Sequence, residues 1–299
     1  MSFPLYAKGP ALSEHSGPVH VVRYNTTGQY ILSGGQDKRI LLWNSSSLKL
    51  VKSYVAHGYE ILDISVSFDN AQFLSCGRDR LVFLWDVASG TAIRRLAGHT
   101  AQVNAVNFNT DASVAASGSY DSTVRLWDLK SNSQKPLQVL DEAKDSVSSV
   151  QIVGSQIITG SVDGYLRVYD LRMGQLYEDL IGHPITSVMD SADSACALVS
   201  TLDSTVRLMD KSNGTLLQSF TGHDNHKYRI RSCFGDNETY AISGSENGKI
   251  FVWDVLSGRV VHQLRSHNGS IVACVAYHPR STQMVSCGSN GTIQVWQST

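Results

Sequence analysis

GHTAQVNAVNFNTDASVAASGSYDSTVRLWD, residues 98–128, holds the unit from which the whole chain is built. Val103-Asn104-Ala105-Val106-Asn107-Phe108 alternates apolar and polar residues with period two, and Val124-Arg125-Leu126-Trp127 does the same. Such alternation marks half-buried strands, whereas no stretch carries a helical period. Turn formers such as Asn109-Thr110-Asp111 separate the strands. Asp121 precedes Trp127 by six residues, and the same interval recurs from Asp37 to Trp43, Asp79 to Trp85, Asp163 to Tyr169, Asp203 to Met209, Asn247 to Trp253 and Asn290 to Trp296. Successive aromatic positions are 42, 42, 42, 40, 44 and 43 residues apart. A fixed period of this size means that one supersecondary unit is repeated in register.

The period, with Gly98-His99 ahead of Trp127-Asp128, resembles the WD-repeat family. The resemblance implies an all-β, seven-bladed β-propeller of four-stranded antiparallel sheets around a central channel. It implies a single domain over residues 1–299, although length alone would suggest two. The chain begins with an outer-strand-like piece, roughly Leu5 to Leu12, and stops soon after Trp296. Residues 1–12 are therefore expected to supply the outer strand of the last blade, leaving no open seam in the ring.

Composition narrows the function. Hydrophobic residues make up 42% and charged residues 17%, enough for a large core. A net charge of −1 without a Lys/Arg run argues against sequence-specific nucleic-acid binding, although local clusters such as Lys227, Arg229 and Arg231 stay open. The five cysteines, Cys76, Cys196, Cys233, Cys274 and Cys287, lack a CxxC spacing and are expected to be reduced thiols. Neither a signal peptide nor a membrane span is legible, so an intracellular, soluble protein is expected. No cofactor or metal is expected, because the histidines are spread along the repeats.

Three blades carry matched polar sets: His15, Ser33, Asp37 and Trp43; His57, Ser75, Asp79 and Trp85; His99, Ser117, Asp121 and Trp127. A hydrolase would need one Ser-His-Asp site, not three copies. The sets are therefore expected to be buried hydrogen-bond chains that lock each blade. Blades four and five depart from the pattern: Ala143 stands where His is expected, Val199 and Met209 replace Ser and Trp, and His183 falls out of register. They are expected to be the softer part of the ring, whereas blades six and seven keep His223, Ser243, Trp253 and His267, Ser286, Trp296.

Certain stretches go beyond the generic repeat, among them His57-Gly58-Tyr59-Glu60, Leu140-Asp141-Glu142-Ala143, Gly160-Ser161-Val162-Asp163-Gly164 and Tyr169-Asp170-Leu171-Arg172-Met173-Gly174. Together they resemble the mitogen-activated protein kinase organiser family of WD-repeat proteins. The resemblance implies a non-catalytic scaffold, monomeric within a larger complex, in the nucleus and cytoplasm. Its expected partners are spliceosome components during pre-mRNA splicing, and members of the kinase cascade. Two other classes compete. A substrate receptor of a cullin ubiquitin ligase would use an Asp-x-Arg/Lys turn, which Tyr169-Asp170-Leu171-Arg172 and Trp127-Asp128-Leu129-Lys130 both fit. An enzyme would need a unique nucleophile, paired carboxylates or a metal cluster, and none is legible. By analogy with the family, the residue before each repeat Asp or Asn rims the channel mouth: Gln36, Arg78, Tyr120, Val162, Leu202, Glu246 and Ser289. Tyr59, Glu60, Tyr228 and Arg229 join them from a second loop set. Tyr and Arg are the side chains that most often anchor interfaces, so this face is the expected partner site.

Overall fold

The computed structural model describes residues 6–298, so Leu5, the expected first residue of the closing strand, lies outside them. Seven four-stranded antiparallel sheets form the blades of a propeller. In the first blade the strands are Val19–Tyr24, Tyr30–Gly35, Arg39–Asn44 and Leu50–Val55, ordered from the inside outward. The period-two alternation of the sequence becomes burial on both faces. Ile31, Leu41 and Trp43 pack against Cys274, Val285 and Val295 of the seventh blade. Their alternates Leu32, Ile40 and Leu42 pack against Ile61, Ile64 and Trp85 of the second. The core is thus divided among the clefts between adjacent blades, and every blade depends on both neighbours.

Ring closure is a strand exchange between the two ends of the chain. Tyr6–Leu12 pairs antiparallel with Ile293–Ser298, outside Met284–Gly288 and Val272–Tyr277. A register shift interrupts the pairing between Lys8 and Ala11, at Gly9-Pro10. Pro10 has no N–H to give to a ladder, which confines proline to edges and bulges. Gln294 compensates by donating its amide to Gly9 O at 2.6 Å and Pro10 O at 3.3 Å. Leu12 then seals the cluster shared by the seventh and first blades.

Two local devices shape the channel and its faces. In six innermost strands the register shifts by one residue near the start, as between Val19 and Val21 or Val103 and Ala105. A bulge re-aims the extra side chain. His20, Leu62, Asn104 and Ala273 occupy such positions and line the channel mouth. The second device is the turn between the second and third strands. The residue after each repeat Asp or Asn has positive φ: Lys38 66°, Arg80 65°, Ser122 62°, Gly164 84°, Ser204 58°, Gly248 78° and Gly291 81°. Asp or Asn makes this turn affordable by accepting a backbone N–H two residues on, as Thr123 N–H to Asp121 Oδ1 at 3.1 Å. The fixed six-residue interval is the length from that turn to the end of the third strand.

Candidate functional site

The polar sets form directed chains. His99 Nδ1 lies 2.9 Å from Asp121 Oδ2, His99 Nε2 lies 2.8 Å from Ser117 Oγ, and Trp127 Nε1 donates to the same oxygen at 2.8 Å. With Nδ1 donating to the carboxylate, Nε2 is the acceptor and the serine hydroxyl is its donor. His15 repeats this with Asp37 at 2.9 Å and Ser33 at 2.8 Å, and His57 with Asp79 and Ser75, both at 2.7 Å. Trp43 and Trp85 donate to those serines at 3.0 and 2.8 Å. Burial pushes the Asp37, Asp79 and Asp121 carboxyls up, but the histidine, its charge and the neighbouring hydrogen-bond donors together outweigh it and hold them below the usual carboxylate range. Ser33, Ser75 and Ser117 are wholly buried and already bonded on both sides, so no substrate reaches their oxygens. Each of the three sets ties the strands of its blade together by a closed hydrogen-bond chain.

Two expectations about the later blades need correction. Blades four and five do not lack a polar lock; they carry a different one. Arg167, 1% exposed, donates to Asp163 at 2.9 Å, Glu178 at 2.6 Å and Ser161 at 2.7 Å. Arg207 makes the equivalent bonds to Asp203 and Thr201, each at 2.5 Å. Burial raises the Asp203 carboxyl, yet Arg207 and Thr201 together bring it down to about 2. His183, out of register as expected, is half exposed and lies 3.5 Å from Asp203. The rest of the old set has gone with the histidine: Val199 and Met209 are buried apolar residues and leave no orphaned donor.

Blade six is the reverse case. It keeps His223, Ser243 and Trp253, but they do not connect. Both His223 ring nitrogens are buried without a hydrogen-bond partner, and Trp253 donates to Thr221 O at 2.9 Å instead. His223 precedes Ser232, the strand partner of Ser243, by nine positions, whereas His99 precedes Val106, the partner of Ser117, by seven. The longer loop carries the ring away from the serine and against Trp253, with centroids 5.3 Å apart. Burial lowers its pKa to about 4. Blade seven keeps the chain, with His267 bonded to Ser286 at 3.0 Å and Asn290 at 3.1 Å.

A second repeated bond defines a face of the ring. In all seven blades the residue before the repeat Asp or Asn donates its N–H to the loop between outer and first strands. The pairs are Gln36 to Pro18, Arg78 to Glu60, Tyr120 to Gln102, Val162 to Ser146, Leu202 to Pro184, Glu246 to Asp224 and Ser289 to Ile271, at 2.8–3.0 Å. Both loop sets therefore share one face, at the channel mouth. The other turns are tied together on the opposite face, for example Leu129 N–H to Ser113 O at 2.8 Å and Leu171 N–H to Ser155 O at 2.9 Å. The Asp-x-Arg/Lys turns belong there. Asp128 and Asp170 accept the Lys130 and Arg172 N–H groups, leaving both basic side chains exposed.

On the channel-mouth face Tyr59, Tyr120 and Tyr228 are 62%, 60% and 51% exposed, and Arg78 is exposed beside Glu60 at 3.3 Å. Lys38 lies over the Tyr59 ring at 5.7 Å. The other expected contact residues do different work. Val162 and Leu202 are half-buried and form no open apolar patch. Glu246 staples the long loop of blade six, accepting the N–H groups of His226, Lys227 and Tyr228 at 2.8, 2.6 and 3.0 Å. Arg229 turns inward and spans the channel, donating to Asn104 O and Thr186 O. Burial and then the neighbouring Arg231 push its guanidinium down to about 9. The sequence left Arg23 and Asp63 out of any site and gave Arg231 only as part of a local basic cluster, yet the three meet inside the channel, Asp63 lying 3.0 Å from Arg231 and 3.6 Å from Arg23. Among the described residues no cluster of His, Cys, Asp or Glu is arranged to hold a metal ion, and no helix is long and apolar enough to cross a membrane. All five cysteines are free thiols.

A closed ring of seven such blades, each with its repeat turn, defines a WD-repeat β-propeller. The WD domain, G-beta repeat profile matches residues 9–44 and 258–297, and the profile of the nucleolar protein 10-like N-terminal domain matches residues 58–234. WD repeat domain-containing protein 83 of Homo sapiens is 50% identical over 94% of this chain and 89% of its own length. Those of Danio rerio and Dictyostelium discoideum are 51% and 38% identical, over 99% and 95% of this chain and 96% of their own lengths in both cases. The chain belongs to the WD repeat domain-containing protein 83 family, which is the mitogen-activated protein kinase organiser family.

Proposed function

We propose that the protein is a non-catalytic scaffold whose protein partners dock on the channel-mouth face. One observation carries this reading. Seven repeated loop-to-loop bonds hold that face rigid, and it presents three exposed tyrosines with Arg78 at the mouth of the channel. Rigid aromatic and guanidinium groups lose little entropy on binding and make large contacts. The family resemblance supports a finer reading: a component of spliceosomal complexes in pre-mRNA splicing and a scaffold for kinase-cascade members, working in the nucleus and cytoplasm. The near-neutral charge agrees with partners that are proteins rather than nucleic acid.

Cross-linking mass spectrometry of the native complex tests both levels. Lys38, Lys144 and Lys227 are exposed on the channel-mouth face; Lys49 and Lys130 are exposed on the other. Cross-links to splicing or kinase-cascade proteins should concentrate on the first three. Concentration on Lys49 and Lys130 would refute the docking face, and a partner set with neither class of protein would refute the finer reading.

A further inference from the structure

The channel beneath the three tyrosines carries more positive charge than its own carboxylates balance. Arg78, Arg229 and Arg231 line a cavity of about 310 Å³ at the mouth. Arg23, Asp63 and Arg231 line a second of about 340 Å³ at the far end. Four guanidinium groups thus face two carboxylates, Glu60 and Asp63, in a chain whose overall net charge is −1.

Both carboxylates are occupied. Asp63 Oδ1 takes Arg231 at 3.0 Å, Arg23 at 3.6 Å and the Ile64 N–H at 2.9 Å, and its Oδ2 takes the Val106 N–H at 3.3 Å. Glu60 lies 3.3 Å from both Arg78 and His20. Among the described residues Arg229 donates to backbone carbonyls alone. Arg231 is 5% exposed, and its Nη1 is buried with no acceptor. A desolvated guanidinium without an anion is costly, and a charged cleft with low-dielectric walls concentrates the opposite charge. The planar fork of arginine matches a carboxylate in two parallel bonds.

We propose that the channel mouth receives a carboxylate side chain from the docked partner, so that the segment lying over this face is an acidic peptide. The inference rests on the docking face proposed above. It explains why Arg229 points inward instead of joining the exposed tyrosines: it meets the partner from below, within the cavity at the mouth.

Fluorescence anisotropy with a fluorescein-labelled hexaglutamate peptide tests this, with hexaglutamine as the neutral probe. Wild type should bind hexaglutamate, less tightly as NaCl rises, and should not bind hexaglutamine. Arg229→Gln should weaken the complex at least about tenfold. Arg78→Glu, at an exposed position that leaves the fold intact, should do likewise and carries the test if the Arg229 variant unfolds. Arg172→Glu on the opposite face should change nothing. Hexaglutamate binding no tighter than hexaglutamine, or equal losses in the Arg78 and Arg172 variants, would overturn the proposal. So would displacement of the anion site by inorganic phosphate with no peptide binding, which would mark a site for free ions. Cross-links confined to the channel-mouth face together with no hexaglutamate binding would remove the acidic partner and keep the docking face. Cross-links elsewhere would remove the docking face whatever the peptide does.

Discussion

A chain lacking residues 1–14 is expected to melt about 10 °C or more below the full-length protein and to aggregate on purification. The deletion removes Tyr6–Leu12 and leaves the whole edge of Ile293–Ser298 without its ladder partner. An exposed, regular edge beside apolar residues is a template for pairing with other chains. It also removes Leu12 from the cluster that joins the last blade to the first, where the loss of one buried leucine side chain costs about 2–5 kcal/mol. In a domain this large each kcal/mol corresponds to roughly 2–4 °C. The Gln294 bonds to Gly9 and Pro10 disappear as well, leaving its amide only the Val295 carbonyl at 3.0 Å. Calorimetry with size-exclusion chromatography reads both effects. A truncated chain that stays monomeric and melts with the full-length protein would show that the ring does not depend on this strand.

The second large effect belongs to blade four. Arg167→Met removes a buried cation whose fork holds Asp163, Glu178 and Ser161 together. Breaking a buried pair by deleting one member costs about 3–5 kcal/mol, because the other charge is left uncompensated. His99→Ala breaks the histidine chain of blade three and should cost less, about 1–3 kcal/mol. Asp163→Asn placed on top of Arg167→Met should recover part of the loss, since it removes the stranded carboxylate. Urea midpoints for the three variants decide the order. If Arg167→Met proves milder than His99→Ala, the arginine does not replace the histidine as the lock of its blade.

The propeller was legible because its determinants are local and repeated. The Asp or Asn that closes each turn, the six residues to the end of the third strand and the alternation around Trp127 all lie within one unit, and seven copies fix the register. Closure was legible because the first strand-like segment had no partner of its own. The arginine locks were not. Arg167 stands four residues after Asp163, where Leu41 and Phe83 stand in the first two blades, so the position reads as ordinary strand. Only the absence of histidine opens the space that a guanidinium fills, and Arg125 holds the same place in blade three beside an intact histidine chain. The available signal was a hydroxyl two residues before the Asp, Ser161 or Thr201, together with the Arg four after it and the missing histidine, since blade three has Ser119 and Arg125 but keeps His99. Blade six misled in the opposite direction. Its residue types match the pattern, but the 44-residue step from Met209 to Trp253 already recorded the longer loop that disconnects His223.

The candidate face was only half legible. Repeat register placed all seven turn residues on one side of the ring, but register says nothing of which side chains remain free there. Glu246 and Arg229 look like interface residues by type; backbone groups near them claim one as a staple and draw the other into the channel. The meeting of Asp63 with Arg23 and Arg231 joins positions far apart in sequence, which no local pattern reports.

The docking face is tested most directly by quantitative capture of the cross-linked partners with Tyr120→Ala combined with Arg78→Ala. Both side chains are exposed, and neither belongs to the blade cores. The double variant should keep the melting temperature of the wild type and lose at least about 2 kcal/mol of binding, roughly thirtyfold in affinity. Undiminished capture by a normally melting double variant would contradict the account and move the interface to the rim or to the opposite face, where Arg172 and Lys130 stand exposed.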